Sequence, residues 1–344
     1  MKTVISTDRG AAVELLRKGE VVALPTETVY GLAADALNAI AVAKIFEAKE
    51  RPRFDPLIIH LPHRDWLEKV VDLPLRDRQL ILKLAEKSWP GPFTMVLPKR
   101  KIVPDIVTAG LDTVAVRISA HPVFAKIVCE LDQSLAAPSA NRFGHVSPTT
   151  AQHVLDELDG RIPLIIDAGP TQHGIESTIV VVRDGKIEIL RRGPVTAEQL
   201  SEFAEIDVAA MRPKISAPGQ LPSHYAPKTP LRLIDHAESF SPEKSQRVGL
   251  LAWHPLSRQR ALRNVRRRTG DHRSLKFTAV RQLSEKKDLR EAAANLFRFL
   301  RELDRSDVDL IVAERVPSHG LGAAILDRLE RASHGKSVAP DTLE

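Results

Sequence analysis

Two periods alternate along the first two hundred or so residues, and each predicts a different element. Short apolar runs bounded by turn residues predict strands at "EVVALPTE", "PLIIHL", "FTMVLP", "TVAVRIS", "SLAAPSAN" and "PLIIDAG". "STIVVVRDGKIEILRRG" predicts a hairpin around Asp184-Gly185. Apolar residues three and four apart predict helices in "LNAIAVAKIFEAKE", where Ile40, Ala43, Ile45 and Phe46 share a face, and in "RDRQLILKLAEKSW" and "PVFAKIVCEL". "SPTTAQHVLDELDG" predicts a helix capped by Ser147, with Pro148 at its first position and Gly160 at its stop. Strands are too numerous for strict strand-helix alternation. Residues 1–207 therefore predict a twisted, mixed, open α/β sheet with helices rather than a Rossmann array.

Periodicity ends after Asp207. "MRPKISAPGQLPSHYAPKTP" holds five prolines and predicts an interdomain linker over residues 208–229. Beyond it, "LRLIDH", "RVGLLAWH", "LKFTAV" and "VDLIVAER" predict strands. "EKKDLREAAANLFRFLRELDRS" predicts an amphipathic helix with Leu289, Ala293, Leu296, Leu300 and Leu303 on one face, and "GAAILDRLERAS" a closing helix. Residues 230–344 thus predict a smaller α/β domain on a parallel sheet.

Composition changes this picture in three ways. A chain of 344 residues exceeds what one core usually covers, which agrees with two domains. A single cysteine, Cys129, excludes an internal disulfide and a cysteine zinc site. No apolar run suits a membrane span, and "MKTVISTDRG" lacks a signal-peptide core, so a cytoplasmic protein without membrane contact is expected. The net charge of +6 resides in the last third, where 22 basic residues face 16 acidic ones from Pro230 onward. It is densest in "RQRALRNVRRRTGDHR", with seven arginines. RNA, an acidic partner and a solvated surface all fit such a patch, the last being the commonest outcome.

The standard signatures for ATP, NAD, zinc and ester chemistry are missing. Polar residues recur instead at strand ends: Thr26, Glu27, Thr28 and Tyr30 in "LPTETVYGLAAD"; Lys49, Arg51, Asp55 and His60 in "AKERPRFDPLIIH"; Thr113 and Arg117 in "LDTVAVRIS". Ser139, Asn141 and Ser147 follow in "APSANRFGHVS", then Glu176, Ser177 and Thr178 in "GIESTI", and Arg191 and Arg192 in "ILRRG". Structural explanations exist for several. Lys49 and Arg51 complement a helix C-terminus, Asn141 suits an Asx turn, and Ser147 suits an N-cap. Arg117 resists such an explanation, because a charge inside an apolar strand needs a partner. Together these cations, hydroxyls and amides describe a pocket for a carboxylate beside phosphates, with arginine as the bidentate clamp.

These segments, in order, resemble the motifs of the YrdC-like family over Val4 to Phe203. The "SHYAPKTP" linker and the domain ending "GLGAAILDRLERAS" resemble the family's long, two-domain threonylcarbamoyl-AMP synthase form. The resemblance implies a YrdC-like sheet with a basic groove, a Rossmann-like second domain, and a linker that covers the active site. It also implies an enzyme, a nucleotidyltransferase that joins L-threonine, bicarbonate and ATP with Mg²⁺. The products are threonylcarbamoyl-AMP and pyrophosphate. A downstream tRNA threonylcarbamoyltransferase complex then modifies the adenosine beside the anticodon, and tRNA itself is a candidate contact.

By motif, Lys49, Arg51, Ser139 and Asn141 match the family's K-x-R and S-x-N tetrad at the reaction centre. Thr28, His60, Arg117, Ala137 and Ser177 match threonine-binding positions. Arg51, Asp55, Thr113, Ser139, Ser147 and Arg191 match ATP-contacting positions, and Tyr225 would close over the nucleotide. No protein metal ligand is implied. Three departures stand out. Glu50 replaces the usual glycine of K-G-R-P and has to point away from phosphate. Asp55 replaces an asparagine and needs Mg²⁺ or a basic neighbour. The linker lacks the basic residues usual before its His-Tyr pair. Glu27 awaits either a basic partner or Mg²⁺, and Gly31 is expected to let the backbone pass close to a ligand. A hydrogenase-maturation carbamoyltransferase is excluded, since it needs cysteine zinc fingers and an acylphosphatase module. A non-catalytic RNA-binding or ribosome-associated protein is the alternative, although it would have no use for a threonine pocket.

Overall fold

Eleven short strands form one mixed sheet in the first of two units, which spans Met1–Phe143 and Ser147–Leu221. The structure, a computed structural model, describes residues 2–207, 224–243, 245–254 and 277–334. The arginine-rich stretch 258–273 and linker residues 208–223 lie outside the described residues. The strands are β1 (Val4–Ser6), β2 (Val22–Leu24), β3 (Gly31–Asp35), β4 (Ile58–His60), β5 (Phe93–Pro98) and β6 (Thr113–Arg117). They continue as β7 (Leu135–Ala136), β8 (Leu164–Ile166), β9 (Thr178–Arg183), β10 (Lys186–Arg191) and β11 (Ile206–Asp207). Across the sheet they run β1-β8-β2-β3-β7-β4-β6-β5-β9-β10-β11, with parallel and antiparallel neighbours.

Side-chain alternation gives the two faces of the central strands different duties. Ile59, Met95, Leu97, Val114, Val116 and Val180 join the main core. Their neighbours in sequence, Ile58, Val96, Ala115 and Ile179, form a separate small cluster. Thr113 and Arg117 share the period of Ala115, and His60 that of Ile58, so polar residues edge this apolar strip. β4 and β6 are parallel with His60 opposite Arg117, which brings both side chains to one strand end.

The pattern did not predict β1, the helix Arg9–Arg17, or β3. β3 pairs antiparallel with β2, Leu24 opposite Gly31, so "LPTETVYGLAAD" is a hairpin loop followed by a strand rather than one strand mouth. Gly31 admits the chain itself: a Cβ there would stand 3.3 Å from that of Ala137, and Gly31 bridges Ser139. In the helix Ala39–Lys49, Ile40 is 76% exposed, contrary to expectation. The buried face is set by Val42, Ile45, Phe46 and Lys49, and Ile40 lies about 140° round the helix from Ile45. Ser147 caps no helix. The helix Ala151–Leu158 starts later and is capped by Thr150, whose hydroxyl accepts the His153 amide at 3.2 Å.

The second unit comprises Gly144–Val146 and Pro222–Glu344. Its strands β12 (Leu231–Ile234), β13 (Val248–Ala252), β14 (Ala279–Gln282) and β15 (Leu310–Glu314) run β12-β15-β13-β14, and every neighbouring pair is parallel. The helix Leu289–Asp304 starts at an Asp288 cap and buries Ala293, Leu296, Phe297, Leu300 and Leu303, while Leu289 is only half-buried. The helix Leu321–Ser333 closes the described chain apart from His334.

Asp184 and Gly185, both at positive φ, turn β9 into β10. Near its end the ladder slips: Ile189 faces Val180, but Arg191 faces Ile179. This bulge re-aims the strand end. Its Arg191 donates from Nε to the Ser177 carbonyl at 3.1 Å and from Nη2 to the Ser177 hydroxyl at 3.0 Å. Gly193 follows, pressed on the same segment. A Cβ there would lie 2.6 Å from the Glu176 carbonyl oxygen and closer still to the Thr178 nitrogen. Gly193→Ala therefore forces β9 and β10 apart. The expected loss is about 3 kcal/mol of unfolding free energy, read by urea titration, and an unchanged midpoint would refute the close approach.

Candidate active site

The hairpin loop between β2 and β3 folds on its own hydroxyls. Thr26 Oγ1 accepts the amides of Thr28 (3.1 Å) and Val29 (3.2 Å) and donates to the Val29 carbonyl (2.7 Å). With its one proton committed, its 2.7 Å contact with Thr28 Oγ1 has Thr28 as donor. Thr28 Oγ1 is then an acceptor for Arg117 Nη1 at 3.3 Å. Glu27 turns the other way, pairing with Arg117 Nη2 and accepting the Ser119 hydroxyl. The basic partner sought for Glu27 is thus Arg117. Burial alone would raise the Glu27 carboxyl. The Arg117 charge and the Ser119 hydrogen bond outweigh burial and hold it below the usual value.

His60, buried beside Arg117, stacks obliquely on Phe124 at 4.7 Å and bonds the Ala137 backbone through its ring. Its Nδ1 has no hydrogen-bond partner. Burial first, then the Arg117 charge, push its pKa well below the ordinary histidine value, so the ring is neutral.

A second polar group gathers at Arg51. Lys49 closes the helix Ala39–Lys49 and is 1% exposed, its ammonium bonded to the Ser139 and Asn141 carbonyls. Burial and Arg51 pull its pKa well down, against the pull of Asp55 and Glu157. Arg51 spans the loop before β4: Nε to the Asp55 carbonyl (3.2 Å), Nη2 to the Pro56 carbonyl (2.9 Å) and to the Asp55 carboxylate (2.8 Å). The basic neighbour required by Asp55 is Arg51. Even so, burial raises the Asp55 pKa, with Arg51, Lys49 and Arg191 opposing. Glu50 takes the left-handed conformation, φ 52°, which explains why glycine suits that position. Its carboxylate pairs with Arg142 and with Arg161 (2.7 Å).

Ser177 joins Arg191 to Thr94, whose Oγ1 is 2.8 Å from the Ser177 hydroxyl. Ser147 donates to Glu176 at 2.5 Å. Asn141 is buried and donates from Nδ2 to the Arg142 carbonyl at 2.8 Å. Ala137 reaches the site through its backbone alone, its amide also donating to Ile58 at 3.0 Å. Thr113 is half-exposed and begins β6, about 13 Å from Arg117 at its end. Among the expected residues, Thr28 and His60 gather at Arg117, and Lys49 and Asp55 gather at Arg51. Tyr225 belongs to the second unit. It is buried at φ 63°, stacked on Phe297 at 5.5 Å and faced by Arg328 at 5.0 Å. Sequence reading missed Ser119, Thr94 and Glu176 as partners. Ser119, two past Arg117, was within reach of the strand period.

Four buried basic residues, Lys49, Arg51, Arg117 and Arg191, lie with a row of hydroxyls in this mixed-sheet α/β unit, and the second unit is built on a parallel sheet. The chain belongs to the Sua5, YciO and YrdC family: the family model described as "Telomere recombination" matches residues 14–193, and that described as "Threonylcarbamoyl-AMP synthase, C-terminal domain" matches residues 195–334. The threonylcarbamoyl-AMP synthase of Pyrococcus abyssi is 37% identical over 330 residues, covering 94% of this chain and 93% of the relative. That of Bacillus subtilis is 39% identical over 336 residues, covering 95% and 93%. P. abyssi Sua5 complexed with L-threonine matches at TM-score 0.81 and 35% identity, over 97% of each chain. Among the described residues, no helix is long and apolar enough to cross a membrane.

Two outcomes follow from these geometries. Glu27→Ala strands a buried guanidinium and should cost roughly 3–5 kcal/mol of unfolding free energy; a loss below about 1 kcal/mol would show that Arg117 does not depend on it. For His60, the folded chain stays neutral where the unfolded chain takes up a proton. Its contribution is complete above pH 6.5 and is lost as pH falls. As pH falls from about 7.5 to 5.5 the wild type should lose more stability than His60→Gln, on the order of 1 kcal/mol. Parallel pH profiles of the two would contradict a neutral His60.

Proposed function

We propose that this chain is a threonylcarbamoyl-AMP synthase, which joins L-threonine, bicarbonate and ATP into L-threonylcarbamoyladenylate and releases pyrophosphate and water. The observation that carries this is the likeness to P. abyssi Sua5, in sequence and structure, over nearly the whole of both chains. The amine of threonine and bicarbonate give a carbamate with loss of water. A carbamate oxygen then attacks the α-phosphorus, the bond to the bridging oxygen of the β-phosphate breaks, and pyrophosphate leaves. The reactants are anions, so the protein's task is alignment and charge neutralisation.

Each polar group has a part in this reading. Arg117 has five N–H donors, of which Glu27 and Thr28 engage one each in the structure, and the others clamp the threonine carboxylate. Neutral His60, Thr28 and the Ala137 backbone shape the amino-acid end, with Ser177 on the flank. Lys49, Arg51 and Arg191 offset phosphate charge, and Ser139, Asn141, Ser147, Asp55 and Thr113 extend the nucleotide end. Mg²⁺ is the ordinary companion of ATP and would offset phosphate charge when bound. The carboxylates in these networks do not fit as its ligands, because Arg117 and Ser119 engage Glu27, Arg51 pairs with Asp55, and Ser147 bonds Glu176. The product, a mixed anhydride, supplies a transferase that carries the threonylcarbamoyl group to a tRNA adenosine in the cytoplasm.

Pyrophosphate release tests this reading. It should require ATP, Mg²⁺, bicarbonate and L-threonine together, and release that ignores threonine or bicarbonate would overturn the assignment. Arg117→Ala should raise the threonine KM roughly 100-fold and the ATP KM by less than about threefold. Arg117→Lys, which keeps a charge for Glu27, separates binding from folding. Equal effects on both substrates would remove Arg117 as the clamp.

A further inference from the structure

The second unit carries a group of side chains for which the proposed chemistry has no use. β12, β15 and β13 are adjacent and parallel, so the residues ending them meet at one edge of the sheet. That edge is where open α/β sheets hold ligands. His236 lies two residues past β12, His254 two past β13, and Glu314 is the last residue of β15. One donor atom from each falls within 4.8 Å of the other two.

Glu314 is 1% exposed and held from several sides. Its Oε1 accepts the Ala237 amide at 2.6 Å, and its Oε2 accepts the amides of Trp253 and His254, both at 2.8 Å. These bonds tie the loops after β12 and β13 to the end of β15 and fix the carboxylate in one orientation. The neighbouring Arg315 turns away, towards Asp235 (3.5 Å) and Glu330 (3.2 Å). A role for Glu314 as tie between loops accounts for the three amides, but not for the imidazoles. His254 Nδ1 is shut off from solvent, makes no hydrogen bond, and stands 3.4 Å from Glu314 Oε2. The His236 ring lies 4.5 Å from that of His254, centre to centre.

His254 Nδ1 is a buried ring nitrogen without a hydrogen-bond partner, and the carboxylate oxygen 3.4 Å from it is held in place by two amides. Bonds of 2.0–2.1 Å to a tetrahedral ion set its ligand atoms about 3.4 Å apart. The His254–Glu314 spacing already has that value, and the exposed His236 completes the set by side-chain rotation. Two imidazoles with one carboxylate select a borderline transition ion over Mg²⁺ or Ca²⁺. We propose that His236, His254 and Glu314 form a binding site for a divalent transition metal of the Zn²⁺ class, with its fourth position open to solvent.

The full-length protein, stripped with chelator, is titrated with Zn²⁺ against a chromophoric competitor and with Co²⁺ by visible absorption. One equivalent of Zn²⁺ should bind, Co²⁺ should show the intense bands of a tetrahedral site, and about 100-fold excess Mg²⁺ should displace neither. His236→Ala and His254→Ala should each weaken Zn²⁺ at least about tenfold and abolish the cobalt bands. His236 is exposed, so its variant should melt with the metal-free wild type. Absence of Zn²⁺ binding, wild-type affinity in both variants, or displacement by Mg²⁺ would each overturn the site.

Discussion

Arg117 ends a strand whose other residues are mostly apolar, and its guanidinium is almost wholly removed from water. Such a charge is tolerated only beside a counter-charge, and the chain supplies Glu27 from a loop 90 residues away. A buried pair of this kind adds little net stability, but losing one partner is costly, so its effect is to enforce one arrangement. The loop Pro25–Tyr30 has to close on β6. Thr26 has to brace Thr28, Thr28 has to meet Nη1, and Ser119 has to satisfy the second Glu27 oxygen. The direction of the hydroxyls is then fixed from Arg117 to the Val29 carbonyl. Held by Glu27 and Thr28 from the same loop, the Arg117 guanidinium is fixed in one orientation.

The sheet carries this arrangement because its two faces differ. Core residues of β4, β5, β6 and β9 take one face, and the alternate positions leave a narrow strip of Ile58, Val96, Ala115 and Ile179 on the other. Parallel pairing of β4 with β6 delivers His60 and Arg117 to one end of that strip. The loop before β4 delivers Arg51 and Asp55 to the other end.

Much of this was legible in the chain, for local reasons. A charge within "VAVRI" announces a partner, and "PLIIHL" beside "TVAVRIS" announces buried strands whose polar ends matter. The Glu27 partnership was not legible, because nothing local distinguishes its partner from other cations. Ser147 looked like a cap because a following proline favours one, but its hydroxyl serves Glu176, 29 residues on. Ile40 looked buried because periodicity fixes the spacing of a face, not its phase. β3 was hidden by a glycine whose reason, close passage of Ala137, lies a hundred residues away. Glu50 in place of glycine is understood only once Arg142 and Arg161 are seen to draw its carboxylate outward. His236, His254 and Glu314 are likewise brought together by strand order and not by spacing.

Lys49 shows how far a motif's residues can act on one another before they act on a ligand. A lysine 1% exposed, with two backbone carbonyls as acceptors, is placed to hold the segment from Ser139 to Asn141 against the end of its helix. The Phe143 amide returns the contact to the Lys49 carbonyl at 2.9 Å. Arg51, two residues on, does the same for the loop before β4 through the Asp55 and Pro56 carbonyls. In both cases a cation binds main chain, which no side-chain variation elsewhere can remove. The K-x-R pair thus fixes the two loops that bear Ser139, Asn141 and Asp55. Burial raises the Asp55 pKa, and Arg51, Lys49 and Arg191 together oppose that rise. Substituting Lys49 consequently perturbs the Ser139–Asn141 loop as well as a basic group.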